Sequence, residues 1–176
     1  LRGIPVVGLE PSCVFGFRDE IPGLVKNNDA RLLARSVVLF EEFLAEAAQR
    51  RALALPLKSV ASRALVHGHC HQKAFGAMGA LETVLKLVPE LDIEVVETSC
   101  CGMAGSFGYG ADTIDVSSAM GELSLLPAIR KASAETLVLA DGVSCRAQIK
   151  DGTGRNALHV ARLLSMSIDP GATAAQ

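Results

Sequence analysis

The residues of this 176-residue chain whose types could do chemistry are five cysteines: Cys13, Cys70, Cys100, Cys101 and Cys145. Cys70 lies in His67-Gly68-His69-Cys70-His71, the adjacent pair opens Cys100-Cys101-Gly102-Met103-Ala104-Gly105, and Cys145 ends Gly142-Val143-Ser144-Cys145. Thiolate is the soft ligand that selects zinc, cuprous copper or iron–sulfur clusters, and imidazole also binds zinc and iron. His69 and His71 are therefore candidate ligands beside the cysteines, ahead of His67. Gly102 and Gly105 let the backbone turn sharply behind two thiols and bring amide donors towards bound sulfur. Gly102, Gly105, Gly108 and Gly110 have no Lys-Ser/Thr after them, which excludes a Walker-type phosphate loop. There is no Cys-x-x-Cys, so the spacing is unlike a zinc ribbon or an ordinary ferredoxin. Burial as a small hydrophobe would explain one lone cysteine, but it explains poorly a set with glycine and polar neighbours.

These residues need elements to position them. Residues 4–8 read as a short buried strand and residues 10–18 as a loop carrying Cys13. Asp29 reads as the N-cap of a helix running to about residue 51, on apolar spacing from Leu32 to Leu44, with Glu41, Glu42 and Glu46 as a solvated acidic face. Strands are predicted at 63–67, 93–97 and 136–140, each followed by a cysteine-bearing loop. Helices are predicted at 72–88, ended by Pro89, at 116–131 with Pro127 as a kink or break, and at 159–166. Strands alternating with helices imply an α/β fold with a largely parallel sheet. Cys70, Cys100-Cys101 and Cys145 then fall at the C-terminal edge of the strands, where open α/β sheets bind ligands.

Composition narrows the function classes. Hydrophobic residues make up 49% of the chain and charged residues 20%, enough for a substantial core. Aromatics are 4%, Trp is absent and the formal net charge is −2, so neither a stacking platform nor a basic groove for nucleic acid exists. No apolar run reaches the roughly 18 residues of a membrane span. An odd cysteine count with one adjacent pair does not fit a secreted disulfide framework, which points to a cytoplasmic protein, free or peripheral at the inner face of the membrane. The start, within an apolar run and without Met or a signal pattern, reads as a piece of something longer. Residues 169–176 read as a frayed tail.

Residues 65–164 resemble the cysteine-rich "CCG" domain of the glycolate oxidase iron–sulfur subunit and the heterodisulfide reductase B subunit. The same domain ends fused flavin and iron–sulfur dehydrogenases of the D-lactate and D-2-hydroxyglutarate type, and the likeness is closest to this group. The matching words are Leu9-Glu10-Pro11-Ser12-Cys13, Gly68-His69-Cys70-His71-Gln72-Lys73, Cys100-Cys101-Gly102-Met103-Ala104-Gly105-Ser106-Phe107-Gly108 and Gly142-Val143-Ser144-Cys145-Arg146. The family pattern ends on Cys-x-x-Cys, and here Gly142 stands at its first position. The resemblance implies two tandem repeats: residues 1–51 as the rear part of a first repeat with Cys13 as its last ligand, and residues 60–168 as a complete second one. It implies four thiolates, Cys70, Cys100, Cys101 and Cys145, holding an iron–sulfur cluster or a zinc ion in its place. Lys73 and Arg146 are candidates to offset their charge, with ordinary surface charge as the alternative.

The function so implied is an electron-transfer segment of a longer 2-hydroxy-acid dehydrogenase. FAD and ferredoxin-like domains would lie elsewhere in that protein, and a quinone or another redox partner would accept the electrons. The segment alone would not oxidise substrate. Two alternatives use the same residues: a structural zinc module, and a thiol-redox site cycling through a Cys100–Cys101 disulfide.

Overall fold

The computed structural model describes residues 3–172; residues 1–2 and 173–176, which include the end of the predicted tail, lie outside the described residues. It is α/β, with two parallel sheets. The larger has three strands: β3 (Arg63–His67) is central, flanked by β4 (Asp92–Val95) and β5 (Leu137–Ala140). His67 pairs with Ala140 at the C-terminal end of the register, and Val66 pairs with Val95. The smaller sheet pairs β1 (Val6–Gly8) with β2 (Val37–Leu39).

Side-chain alternation along the central strands splits the core into two layers, as a pleated strand requires. Ala64, Val66 and Leu139 face one layer, with Leu81, Val84 and Leu85 of helix α6 (Met78–Leu85) and Val160, Leu163 and Leu164 of helix α10 (Val160–Ser167). Leu65, Val138 and Ala140 face the other, with Leu125, Leu126 and Ile129 of α8 (Leu125–Lys131) and Ile149 of α9 (Val143–Thr153). Cys101, Met103 and Cys145 belong to this second layer. The sheet thus has helices on both faces, the arrangement that parallel strands need to bury both sides.

Several predicted boundaries move. The segment around Cys13 is helix α1 (Pro11–Phe15), continued by a π-helical turn (Gly16–Glu20), because Pro11 presets the dihedral of the first turn. A short helix α2 (Ile21–Leu24) follows. The single helix predicted from Asp29 is two. Asn27, not Asp29, caps α3 (Asn28–Ser36), its side chain accepting from the Ala30 amide at 2.8 Å. Strand β2 then interrupts the chain before α4 (Phe40–Gln49). Strand β1 is present but not buried, with Val6 and Val7 exposed. The helix predicted over 72–88 is α5 (Cys70–Ala74) and α6, separated by a turn through Gly76. The helix over 116–131 is α7 (Ile114–Glu122) and α8; the break falls at Leu123-Ser124, and Pro127 sits in the first turn of α8, where its missing donor is tolerated.

The acidic face on α4 is corrected in part. Glu46 is exposed and pairs with Arg50, whereas Glu42 pairs with Arg18 and Glu41 is wholly buried. Glu41 lies on the face of α4 turned towards α5, where the Gln72 amide donates to it at 2.6 Å.

Candidate metal centre

Three chain segments meet at the C-terminal edge of the larger sheet. The first is the end of β3 with α5, the second is the turn after β4, and the third is the start of α9 after β5. Cys70 is the first residue of α5 and Cys145 the third of α9, so both sit in helical first turns rather than in the predicted loops. Only Cys100 and Cys101 lie in irregular backbone.

The more deeply buried of two groups is His67, Cys101 and Cys145. All three are buried, and their ligand atoms lie within 4.8 Å of one another. His67 Nδ1 is 2.9 Å from Thr98 Oγ1, while its Nε2 is buried with no hydrogen-bond partner. Contact with the Cys145 thiol, working against the cost of burial and joined by the facing His67 ring, holds Cys101 down to about 4. The same contact, with burial, pushes the Cys145 thiol up. Two sealed sulfurs in contact, one favoured as thiolate and the other held as thiol, are a pair suited to binding a soft cation. Sequence reasoning ranks His67 behind His69 and His71, although a signal for its placement is present. Leu65 faces the layer that holds Cys101 and Cys145, and His67 is two residues further along the same strand.

The second group is His69, Cys70 and His71. Cys70 Sγ lies 3.8 Å from His69 Nδ1 and 3.7 Å from His71 Nδ1. His69 caps α5: its Nδ1 accepts the His71 amide at 3.1 Å, and its own amide donates to Gln72 Oε1 at 2.9 Å. Burial lowers the pKa of the His69 ring, which favours this neutral, accepting form. The His71 ring stacks between His69 and Phe75, with centroids at 5.2 and 6.5 Å. Among the described residues, neither Cys13 nor Cys100 belongs to either group: Cys13 is exposed on α1, and Cys100 is half-buried beside Cys101.

The two groups adjoin across Gly142. A Cβ there would stand 2.3 Å from His69 Cδ2 and 3.2 Å from Cys145 Sγ. The His69 ring fills the space that a side chain at 142 would need, so glycine at this position follows from the packing. Gly102 is equally constrained: its φ is +93°, and a Cβ would meet the Ser117 carbonyl oxygen of α7 at 2.0 Å. Held there, its amide donates to Cys100 Sγ at 3.4 Å. Cys100 is half-buried, and burial pushes its thiol up. Gly105, also at positive φ, opens the 3₁₀ turn Gly105–Gly108.

Lys73 ties two of the three segments together. From α5 its ammonium donates to the carbonyl oxygens of Thr98 and Ser99, both at 2.6 Å, and to Thr98 Oγ1 at 3.1 Å. This anchors the residues immediately before the cysteine pair, and it holds a positive charge beside the thiols. Arg146 instead turns its guanidinium to the Ala140 and Asp141 carbonyls, fixing the turn into α9.

Fold and site together define a parallel-sheet α/β domain with a cysteine- and histidine-lined centre. Its relatives are dehydrogenases. Over 168 residues the chain is 29% identical to a subunit of the anaerobic glycerol-3-phosphate dehydrogenase of Escherichia coli (strain K12), covering 96% of this chain and 41% of that protein. It is 31% identical over 156 residues to D-2-hydroxyglutarate dehydrogenase of the same strain, covering 86% of this chain and 14% of that protein. The D-2-hydroxyglutarate dehydrogenase of Pseudomonas putida is 31% identical over 172 residues, covering 89% of the chain and 14% of that protein. The chain thus spans less than half the length of these relatives. No family model and no solved structure matches it. The relatives support an oxidoreductase role, and the cysteine and histidine groups fit metal binding.

Proposed function

We propose that the chain is the metal-binding, electron-transfer segment of a larger dehydrogenase that oxidises a secondary alcohol of the 2-hydroxy-acid type. The observation that carries this reading is the sealed convergence of His67, Cys101 and Cys145, with Cys70 and Cys100 on the same segments as His67 and Cys101. Cys70, Cys100, Cys101 and Cys145 are the proposed thiolate ligands, as in the CCG-type domain the sequence resembles. The residues fit a sulfur-rich cofactor: two thiols are buried, an imidazole nitrogen is orphaned, and the Gly102 amide already points at a ligand sulfur. An iron–sulfur cluster, when bound, supplies a one-electron carrier. The chain contributes ligation, exclusion of water, amide hydrogen bonds to sulfur, and the Lys73 charge that offsets thiolate. Flavin would belong to another part of the longer protein, and a quinone or redox partner would take the electrons. The names of the relatives offer two hydroxyl-bearing substrates, glycerol 3-phosphate and D-2-hydroxyglutarate, and the choice between such substrates would be made outside this chain. No helix among the described residues is long and apolar enough to cross a membrane; we place the protein in the cytoplasm or against the inner membrane face.

Residues 1–51 read as the rear of a first repeat. Cys13 is the third residue of α1 after β1, as Cys145 is the third residue of α9 after β5. A zinc reading is favoured by one observation, the mixed His–Cys–Cys set, which zinc accepts readily. The thiol-redox reading, through a Cys100–Cys101 disulfide, is disfavoured by access at one partner, since Cys101 is only 2% exposed while Cys100 is half-buried.

Anaerobic reconstitution with iron and sulfide, followed by metal and sulfide analysis and electron paramagnetic resonance, tests the function. Bound iron and sulfide with a redox-active signal is the predicted result. A colourless chain holding stoichiometric zinc would establish the structural module instead.

A further inference from the structure

We propose that His67 is itself a metal ligand, its Nε2 joining Cys101 Sγ and Cys145 Sγ as a buried imidazole–dithiolate corner of the site. The inference rests on the metal-centre reading above and adds a nitrogen donor to a set otherwise made of sulfur.

Three observations carry it. The His67 side chain is 1% exposed, yet its Nε2 has no hydrogen-bond partner. An unsatisfied buried polar atom costs about 1–3 kcal/mol, so it calls for an explanation. A ring nitrogen of His67 lies within 4.8 Å of both sulfur atoms, close enough for one ion to bridge all three with small side-chain shifts. The third observation engages the other ring nitrogen and leaves Nε2 facing the sulfurs. Thr98 Oγ1 accepts from Lys73 Nζ at 3.1 Å and stands 2.9 Å from His67 Nδ1. An Nδ1 proton donated to that oxygen leaves Nε2 as the bare lone pair for the sulfur-lined site. A hydrogen-bonded far nitrogen is the arrangement that orients metal-binding histidines.

His67 also fits the gap at position 142. Glycine there removes one donor from the pattern the sequence resembles, and the His69 ring occupies the vacated volume, with Nδ1 capping α5 and Cδ2 and Nε2 turned to the glycine. His67 restores a donor from the neighbouring strand. Imidazole in place of thiolate removes one negative charge from the ligand set, and replacement of thiolate by histidine raises the potential of an iron–sulfur centre.

The test uses the 176-residue chain in three forms: parent, His67→Gln and His67→Cys. Each is loaded separately with zinc alone and with iron plus sulfide. X-ray absorption on the zinc forms separates nitrogen at about 2.0–2.1 Å from sulfur at about 2.3 Å. The parent should show both shells. His67→Cys should keep the metal in an all-sulfur shell. His67→Gln should bind zinc at least about tenfold more weakly at a temperature where its metal-free form is folded. On the iron–sulfur form, nitrogen hyperfine coupling should be present in the parent and absent in His67→Cys. An all-sulfur parent shell, parent-like zinc affinity in His67→Gln, or nitrogen coupling that persists in His67→Cys would each overturn the assignment while leaving a cysteine-held cluster intact. Histidine-dependent zinc binding without any uptake of iron and sulfide would uphold His67 and defeat the cluster reading. A parent that binds neither metal would defeat both.

Discussion

Glu41 shows how one buried residue sets the pH response of this fold. It is sealed between α4 and α5, with Gln72 donating to it and Asp141 on the far side of the same amide at 2.9 Å. Burial, and then the Asp141 charge, raise its pKa from 4.5 to about 7. The folded state therefore keeps a proton that the unfolded chain has already released between these values. That contribution to stability is complete below pH 4.5 and is lost as pH rises through about 7. The shift corresponds to on the order of 3 kcal/mol. Glu41→Gln should thus gain stability relative to the parent as pH rises from about 5 to about 8, by an amount of that order. Denaturant melts of both proteins across the range check it, and parallel profiles would contradict it. The sequence could not show this, because a cluster of three acids on one helix looks solvated until a partner helix covers one of them. The cysteines and Gly102 were legible because residue type alone limits their chemistry. His67 was less so, since its role depends on which face of β3 it occupies.

At the scale of elements, the three strands of the larger sheet and the helical stretches between them were legible, although each stretch is two helices and α9, read as a loop, was not foreseen. The division of 29–51 into α3, β2 and α4 was not legible either. Apolar residues at helical spacing run through Val37-Val38-Leu39, and only pairing with β1 draws these residues into a strand. That is a tertiary contact which local pattern cannot supply. The turn after β4 depends on a single backbone position. Gly102→Ala should destabilise the chain by about 2–4 kcal/mol, because a positive-φ residue would carry a methyl into the Ser117 carbonyl. It should also lower metal occupancy by displacing Cys100 and Cys101. Denaturant melts with metal analysis measure both effects. A variant within about 0.5 kcal/mol of the parent and fully loaded would show that α7 yields.

Over the whole molecule, the segment around Cys13 is stitched to the cysteine edge of the larger sheet. Glu10 accepts the Val143 amide at 2.8 Å, at the start of α9, and His159 Nε2 donates to the Leu9 carbonyl at 2.8 Å. A carboxylate at a helix N-terminus is favourable for both charge and hydrogen bonding. The front segment thus buttresses the helix that carries Cys145 while its own Cys13 remains exposed and apart. This asymmetry between cysteines is the most direct handle on the central claim that Cys101, with its partners, holds a metal or cluster. The decisive measurement is metal content together with thermal melting for the parent, Cys101→Ser and Cys13→Ser. Ser is a harder and poorer ligand than thiolate, and metal binding contributes folding energy. Cys101→Ser should lose both the metal and the metal-dependent rise in melting temperature, while Cys13→Ser keeps both. Unchanged metal stoichiometry in Cys101→Ser would remove that residue from the ligand set and contradict the account.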